Sequence, residues 1–377
     1  MQSRKKAGNP GFPVYENMSA RPKTARDAQL AAALLAWFDE NRRTLPFRQE
    51  PTPYHIWLSE IMLQQTRMTA VLPYYERFIA ACPDIPALAA LPEERLYKLW
   101  EGLGYYSRVR NLQKAARLVC EQYGGVLPAE PAALLALPGI GAYTAGAIAS
   151  IGFGLAVPAV DGNVLRVLAR LDNDAACVSE PAVKAAFTAR AAALQPQGRP
   201  GDFNQALMEL GALVCVPNGA PLCATCPWQG LCAAHAAGTA QALPTKARPK
   251  ARRLVPVTAA LVHGPAGWLL HKRPENGLLA GLWEPPIWED VRMESPEALR
   301  TALAARGIET LPGGEALPAA KHIFTHLEWR MEGWQFCAPA AALPEGYVWA
   351  EPGALEEQYA LAGAFKTYRK RMMENDV

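Results

Sequence analysis

The sequence has little net charge. Its 38 lysines and arginines against 35 aspartates and glutamates leave +3 over 377 residues, so the balance alone announces no nucleic-acid partner. No secretory signal is expected either, because no apolar core follows the basic first residues. No apolar run goes unbroken. Pro131–Val160 holds no charged residue and is long enough to cross a bilayer, but Pro138, Gly139, Gly141, Gly146, Gly152, Gly154 and Pro158 interrupt it. That pattern fits two short buried helices around a tight turn, and no membrane contact is expected. The composition of a disordered chain is missing too: half of the residues are apolar and 19% charged, enough to bury a core. At about 150 residues per domain the length suggests two or three domains.

The basic residues that are present cluster. Arg4, Lys5, Lys6, Arg21, Lys23 and Arg26 stand against the single acid Glu16. Lys246, Arg248, Lys250, Arg252 and Arg253 form a second group, and Lys366, Arg369, Lys370 and Arg371 a third. Charge alone reads these as solvated faces or tails.

Four of the eight cysteines, Cys82, Cys120, Cys177 and Cys337, are isolated; the others, Cys215, Cys223, Cys226 and Cys232, fall within 18 residues as C-x7-C-x2-C-x5-C. Four thiolates so close suit one metal centre. Disulfides need an oxidising compartment, for which nothing speaks, so a reducing, cytoplasmic setting is expected. Zinc ribbons pair two C-x2-C knuckles, whereas this segment has one knuckle flanked by single cysteines. An iron-sulfur cluster wrapped by a short loop fits better, with zinc as the alternative.

Residues 1–26 read as a flexible basic tail. Asp27 is placed to cap a helix through Ala31, Leu34, Leu35 and Phe38. Helical patterns continue to about residue 214, with turns expected at Pro51–Pro53, Pro83–Asp84, Gly124–Gly125, Pro138–Gly139 and Pro200–Gly201. Residues 236–254 read as a basic linker. Beyond it the texture changes: Val257–Val262 and Trp268–Arg273 are strand-like around a Gly264–Gly267 turn, a helix spans 296–305, and 321–337 is strand-like again. The expected architecture is an all-α domain over 27–235 and a smaller α+β domain over 255–377.

Three motifs carry chemistry. In Ile56-Trp57-Leu58-Ser59-Glu60-Ile61-Met62-Leu63-Gln64-Gln65-Thr66, helical spacing sets Glu60 against apolar neighbours. A carboxyl so placed is costly to ionise and serves as a proton donor near neutral pH, unless its head reaches water. Leu137-Pro138-Gly139-Ile140-Gly141, followed by Ala142, Tyr143 and Thr144, has the form of a helix-hairpin-helix turn whose glycines let backbone N–H groups approach a phosphate. Val160-Asp161-Gly162-Asn163-Val164 makes Asp161 a helix N-cap, which should keep its pKa low and the group ionised. A protonated Glu with an ionised Asp is the pair that glycosidic cleavage requires.

With the four-cysteine loop, in this order, the motifs resemble the MutY-type adenine DNA glycosylases of the helix-hairpin-helix base-excision repair superfamily, over about residues 27–377. The resemblance implies a helical catalytic domain with a [4Fe-4S] cluster on the four clustered cysteines. It also implies a MutT-like (Nudix-like) C-terminal domain that recognises 8-oxoguanine. The partner would be double-stranded DNA with A:8-oxoguanine or A:G mispairs, met by a monomer. Glu60 would protonate adenine N7. Asp161 would stabilise the sugar cation, directly or through a short-lived covalent adduct, with Tyr143 and Asn163 orienting it and the water. Arg48 would line the adenine pocket. Gln65, beside Thr66, and Tyr105 would fill or wedge the duplex, Gly139 and Gly141 would grip the backbone, and Phe324-Thr325-His326 would read the lesion.

Some features depart from the family. The first cysteine gap is seven residues rather than six, and Val216–Leu222 carries no Lys or Arg. Thr325 stands where the family has Ser. No R-E-x-x-E-E run follows Gly277–Glu284, so the C-terminal domain should bind and not hydrolyse. Tyr143 occupies the position of the lyase lysine of endonuclease III-type enzymes, and Leu165 that of a second lysine, so a monofunctional enzyme is expected. The competing readings are such a lyase and a non-catalytic DNA-binding protein with a structural cluster.

Overall fold

From Thr24 to Leu213 the chain is almost wholly helical in a computed structural model that describes residues 24–248, 251–339 and 342–374. The helices are α1 (Ala25–Asn41), α2 (Pro46–Gln49), α3 (Pro53–Leu63), α4 (Met68–Ala81), α5 (Ile85–Ala90), α6 (Glu93–Trp100), α7 (Ser107–Tyr123) and α8 (Pro131–Ala136). They continue as α9 (Ala142–Ala147), which runs into a π-helical turn at Ile148–Gly152, then α10 (Gly162–Leu171), α11 (Pro181–Leu194) and α12 (Pro200–Leu213).

Residues 1–23 of the expected tail lie outside the described residues, and Arg26 is already within α1. The cap of α1 is Thr24, not Asp27. Thr24 Oγ1 accepts from Asp27 N at 3.1 Å, and the Asp27 carboxylate accepts from Thr24 N at 3.4 Å. Asp27 thus closes a capping box from its third residue. Pro200–Gly201 is not a free turn but the start of α12, because proline at the first helical position lacks only an N–H that would have no partner.

The chain divides into two compact units. The first holds residues up to Glu76, Asp84–Ala89 and Asn111–Arg248; the second holds Arg77–Pro83, Ala90–Arg110 and Pro249–Val377. In the first, Leu30, Leu34 and Phe38 of α1 pack with Val164, Leu168 and Leu171 of α10 and Phe203, Leu207 and Leu210 of α12. Trp228, in the cysteine segment, joins this core and donates its indole N–H to Leu30 O at 2.9 Å. The start of the expected linker belongs to this unit, since Val178 N donates to Thr245 O and Ala247 N to Ser179 Oγ. Among the described residues no helix is long and apolar enough to cross a membrane.

The second unit carries an eight-stranded sheet of β1 (Arg253–Gly264), β2 (Gly267–Lys272), β3 (Trp283–Glu284), β4 (Ile287–Glu289), β5 (Glu315–Ala316), β6 (Ala320–Ile323), β7 (Leu327–Cys337) and β8 (Tyr347–Ala350). The order is β3-β2-β1-β7-β5, with β4 on β1, β6 on β7 and β8 on β2. Among the described strand pairs only β1 and β7 run parallel, from Arg253 opposite Leu327 to His263 opposite Cys337. Leu299 and Leu303 of α14 (Pro296–Ala304) pack on Ala260, Val262, Leu269 and Phe336. The strand-like run 321–337 is two strands, folded back at Phe324–His326. This unit also takes in α6 and the start of α7, which periodicity alone assigned to the helical domain. An amphipathic pattern shows that a face is buried, not against what.

Candidate active site

α3 is apolar almost all round, burying Ile56, Trp57, Leu58, Ile61 and Met62. Glu60 sits among them and is 7% exposed. Burial lifts its carboxyl to a pKa of about 7, and the charge of Asp161 adds to the rise; a hydrogen bond from Tyr143 and the positive charge of Arg48 oppose it. The Tyr143 hydroxyl donates to Glu60 Oε2 at 2.5 Å and also meets Met208 Sδ at 3.0 Å. Tyr143 therefore serves Glu60 directly, where the resemblance had set it on Asp161.

Asp161 caps α10. Its Oδ1 accepts from Asn163 N at 2.9 Å and Val164 N at 2.8 Å, and its Oδ2 accepts from Asn163 Nδ2 at 2.7 Å. The expected low pKa does not hold: burial raises it, outweighing these donors and the Arg166 charge. Asp161 still has three donated bonds and the Arg166 charge on its side, whereas Glu60 has one hydroxyl bond and the Arg48 charge. The pair is thus ordered, with Asp161 the readier to ionise and its negative charge holding the proton on Glu60. Asn163 is itself fixed. Arg166 donates Nη2 to Asn163 Oδ1 and Gly211 O, both at 2.9 Å, and Nε to Cys215 O at 2.8 Å. One side chain joins the cysteine segment to the group that orients Asp161.

Arg48 is held by Glu209 of α12. Its Nη2 lies 3.0 Å from Glu209 Oε2, and Arg43 bonds the same carboxylate through Nε and Nη2 at 2.8 and 2.9 Å. Burial alone would raise Glu209, but Arg43 and Arg48 outweigh it and hold the pKa at about 2. Beside this network lies a polar cavity of about 420 Å³, lined by Arg42, Arg43, Arg48, Gln49, Asp202 and Gln205 among others. Arg48 therefore does line a cavity, with its charge already shared with Glu209.

Cys215, Cys223, Cys226 and Cys232 carry free thiols that line one small cavity, together with Arg170 and His235. Among the described residues no three His, Cys, Asp or Glu converge on a single ion. Four soft donors around a common space suit a group larger than one ion, so the residues fit an iron-sulfur cluster. Arg170 donates Nη1 to Cys215 Sγ at 3.3 Å and to Val216 O at 2.9 Å, the kind of bond that steadies a ligating sulfur.

The remaining sequence candidates stand at turns. Gln65 follows α3, exposed and at φ 58°, with Thr66 beside it partly buried. Gly139 has φ 79°, and a Cβ there would meet Asn111 Cβ at 2.8 Å, so no other residue fits the hairpin without strain. Gly141 caps α9 and is exposed, and a Cβ there would meet nothing within 4 Å. In the second unit Tyr105 is 50% exposed at φ 48°. Phe324 packs its ring on His322 and Trp329, with centroids 4.6 and 5.1 Å away, while Thr325 and His326 are exposed at the β6–β7 turn. Sequence reasoning passed over Arg43, Arg166 and Glu209. The available signal for Glu209 was a lone charge in the apolar run Ala206–Gly211.

Residues 58–190 match the HhH-GPD superfamily of base excision DNA repair proteins, and residues 257–371 match the NUDIX domain. An adenine DNA glycosylase of Mus musculus is 37% identical, the alignment covering 84% of this chain and 72% of that one. Its Homo sapiens counterpart is 36% identical, covering 84% and 69%. The solved structure of a thermostable thymine-DNA glycosylase superposes with a TM-score of 0.50 at 28% identity, covering 56% of this chain and 97% of that one. The chain belongs to the adenine DNA glycosylase family of base-excision repair enzymes, hydrolases of N-glycosyl bonds with a helical HhH-GPD domain and a sheet-bearing Nudix-like domain.

Proposed function

We propose that the enzyme excises adenine mispaired with 8-oxoguanine, or with guanine, from double-stranded DNA. The observation that carries this reading is Glu60, a buried carboxyl with a pKa of about 7 beside Asp161. A carboxyl that still carries a proton in part of the molecules at neutral pH and faces a second carboxylate suits N-glycosidic cleavage. Adenine must first leave the stack, and Gln65 and Tyr105, exposed at left-handed turns, are suited to occupy the duplex as it does so. Glu60 then gives its proton to N7, adenine departs as a neutral base, and Asp161 stabilises the sugar cation until water adds. Asn163 fixes Asp161, and Tyr143 keeps Glu60 aimed.

The Gly139–Gly141 hairpin offers backbone N–H groups to phosphate, and the Phe324–His326 turn offers a hydroxyl and an imidazole to the lesion. Cys215, Cys223, Cys226 and Cys232 would hold a [4Fe-4S] cluster, which supplies a rigid anchor for the loop between α12 and α13 (Ala233–Ala236). Tyr143 and Leu165 leave no amine at the lyase positions, so the enzyme is monofunctional.

Single-turnover assays on A:8-oxoguanine, A:G and A:T duplexes test the reading. Adenine release from the first two, with strand breaks only after alkali and no borohydride-trapped adduct, is expected. Release from A:T at the same rate would contradict the specificity, and efficient trapping would contradict monofunctional chemistry. Iron and sulfide in equal amounts after anaerobic purification support the cluster, while stoichiometric zinc without iron contradicts it.

A further inference from the structure

The turn that carries Tyr105 is braced from within its own unit. Gly102 and Gly104 have φ of 104° and 69°, and Tyr105 follows at 48°. Trp100 Nε1 donates to Gly104 O at 3.0 Å, and Arg108 Nη2 donates to Leu103 O and Gly104 O at 3.0 and 3.1 Å. These bonds set the shape of the turn. A separate set fixes its place on the sheet-bearing unit, and it centres on Glu101, the residue between α6 and Gly102.

Glu101 is largely buried, with its side chain 14% exposed, and both its oxygens accept hydrogen bonds. Oε1 accepts from Leu361 N at 3.1 Å and from Arg369 Nη1 at 2.8 Å. Oε2 accepts from Lys98 Nζ at 2.7 Å, and the same ammonium reaches Leu355 O at 2.9 Å. Arg369 also donates to Leu355 O, at 3.2 Å. The carboxylate thus joins α6 to α16 (Lys366–Glu374), and the two cations it holds reach α15 (Pro352–Glu357) through Leu355 O. Leu361 and Arg369 flank Phe365, whose ring lies 6.0 Å from that of Trp329, and Trp329 is the platform of Phe324 at 5.1 Å. The segment that anchors the Tyr105 turn is therefore the segment that backs the Phe324–His326 turn. Arg110 Nη1 to Ala280 O, at 2.5 Å, and Gly281, where a Cβ would meet the Tyr97 ring at 3.1 Å, hold the same helices against the β2–β3 loop.

We propose that Glu101 is a positioning residue that locks the Tyr105 turn to the segment behind Phe324–His326, so that the wedge and the lesion reader enter DNA as one rigid piece. This rests on the reading that Tyr105 enters the duplex and that Phe324–His326 reads 8-oxoguanine. Glu101 touches neither base. It acts by fixing a spacing, and it matters most for the substrate on which both turns must engage together.

The test is a double-mutant cycle in the full-length protein. Glu101→Gln keeps an oxygen for Leu361 N and removes the charge that holds Arg369 and Lys98; Arg369→Met removes the partner and guards against a folding artefact. The readouts are single-turnover rates on A:8-oxoguanine and A:G, and fluorescence of 2-aminopurine next to the lesion, which reports unstacking. Each variant is expected to lower the ratio of the two rates about tenfold. In a Tyr105→Ala background Glu101→Gln should add less than about twofold, and the 2-aminopurine signal should fall with either change. Equal slowing of both substrates, or full additivity with Tyr105→Ala, overturns the inference and leaves Glu101 a stabilising contact. Thr325→Ala with His326→Ala is the control. If it collapses the rate ratio while Glu101→Gln does not, only this inference falls. If the control itself leaves the ratio unchanged, the lesion-reading role falls with it.

Discussion

Glu60 and Glu209 are both buried glutamates on apolar stretches of helix in the same unit, 7% and 1% exposed, yet one has a pKa of about 7 and the other about 2. Burial works on both in the same direction. Glu209 differs because two guanidinium groups bond it within 3.0 Å, whereas Glu60 receives one neutral hydroxyl and faces a second carboxylate. The lesson is that burial alone does not make an acid; it makes one where the nearest cation is already engaged. Arg48 links the two sites. Its charge works to lower Glu60, but its hydrogen bonds go to Glu209, so Glu209 shares the charge that acts on Glu60.

The largest effect expected is on chemistry. Glu60→Gln keeps the shape and an acceptor for Tyr143 but has no proton to give, so adenine release should fall by about 10²–10⁴-fold with DNA binding retained. The same change should raise stability at high pH. A carboxyl whose pKa is raised on folding contributes its stability below its unfolded value, here 4.5, and loses it as pH rises through 7. Denaturant titrations should show Glu60→Gln and the parent alike near pH 4, with the variant ahead by up to about 3 kcal/mol above pH 8. A variant that is less stable at pH 8 would mean that Glu60 is not held protonated by burial.

Next in size is the loss of the other glutamate. Glu209→Ala leaves Arg43 and Arg48 without their carboxylate and should cost about 3 kcal/mol at pH 7. The sign of its pH dependence is opposite to that of Glu60. A carboxyl with a lowered pKa contributes above its unfolded value of 4.5, and the contribution disappears as pH falls toward 2. The gap between parent and variant should therefore close in acid, measured by urea unfolding from pH 7 to pH 3. A gap that stays constant would contradict the ion-pair account.

A smaller effect sharpens the comparison most. Glu209→Gln retains hydrogen-bonding atoms for Arg48 but removes the charge that neutralises it. More positive potential then reaches Glu60, and the alkaline limb of the activity profile should move down by less than about one pH unit. A limb that moves up, or does not move, would show that Arg48 does not couple the two sites.

The sequence carried the half of this comparison that rests on a motif. Glu60 was legible because S-E-I-M-L-Q-Q-T placed it beside apolar neighbours at helical spacing, and Asp161 because V-D-G-N-V has the form of a cap. The cysteine spacing and the change of texture near residue 255 made the two-part architecture legible as well. Glu209 was not legible, because its partners Arg43 and Arg48 are more than 160 residues away along the chain, and an isolated charge in an apolar run shows only that it needs a partner. For the same reason Asp161 was expected to have a low pKa: the capping donors are local and can be read, while the burial that outweighs them comes from tertiary packing. Glu101 is the extreme case, since its partners Leu361 and Arg369 lie some 260 residues on.

The central claim is that Glu60 carries the catalytic proton at neutral pH. The single-turnover rate of adenine release from an A:8-oxoguanine duplex, followed from pH 5 to pH 9 under saturating enzyme, tests it most directly. The account predicts a rate that falls above about pH 7 as Glu60 loses its proton, with no such limb in the residual activity of Glu60→Gln. A rate that stays flat or rises through pH 7–9, or a limb that persists in Glu60→Gln, would contradict it.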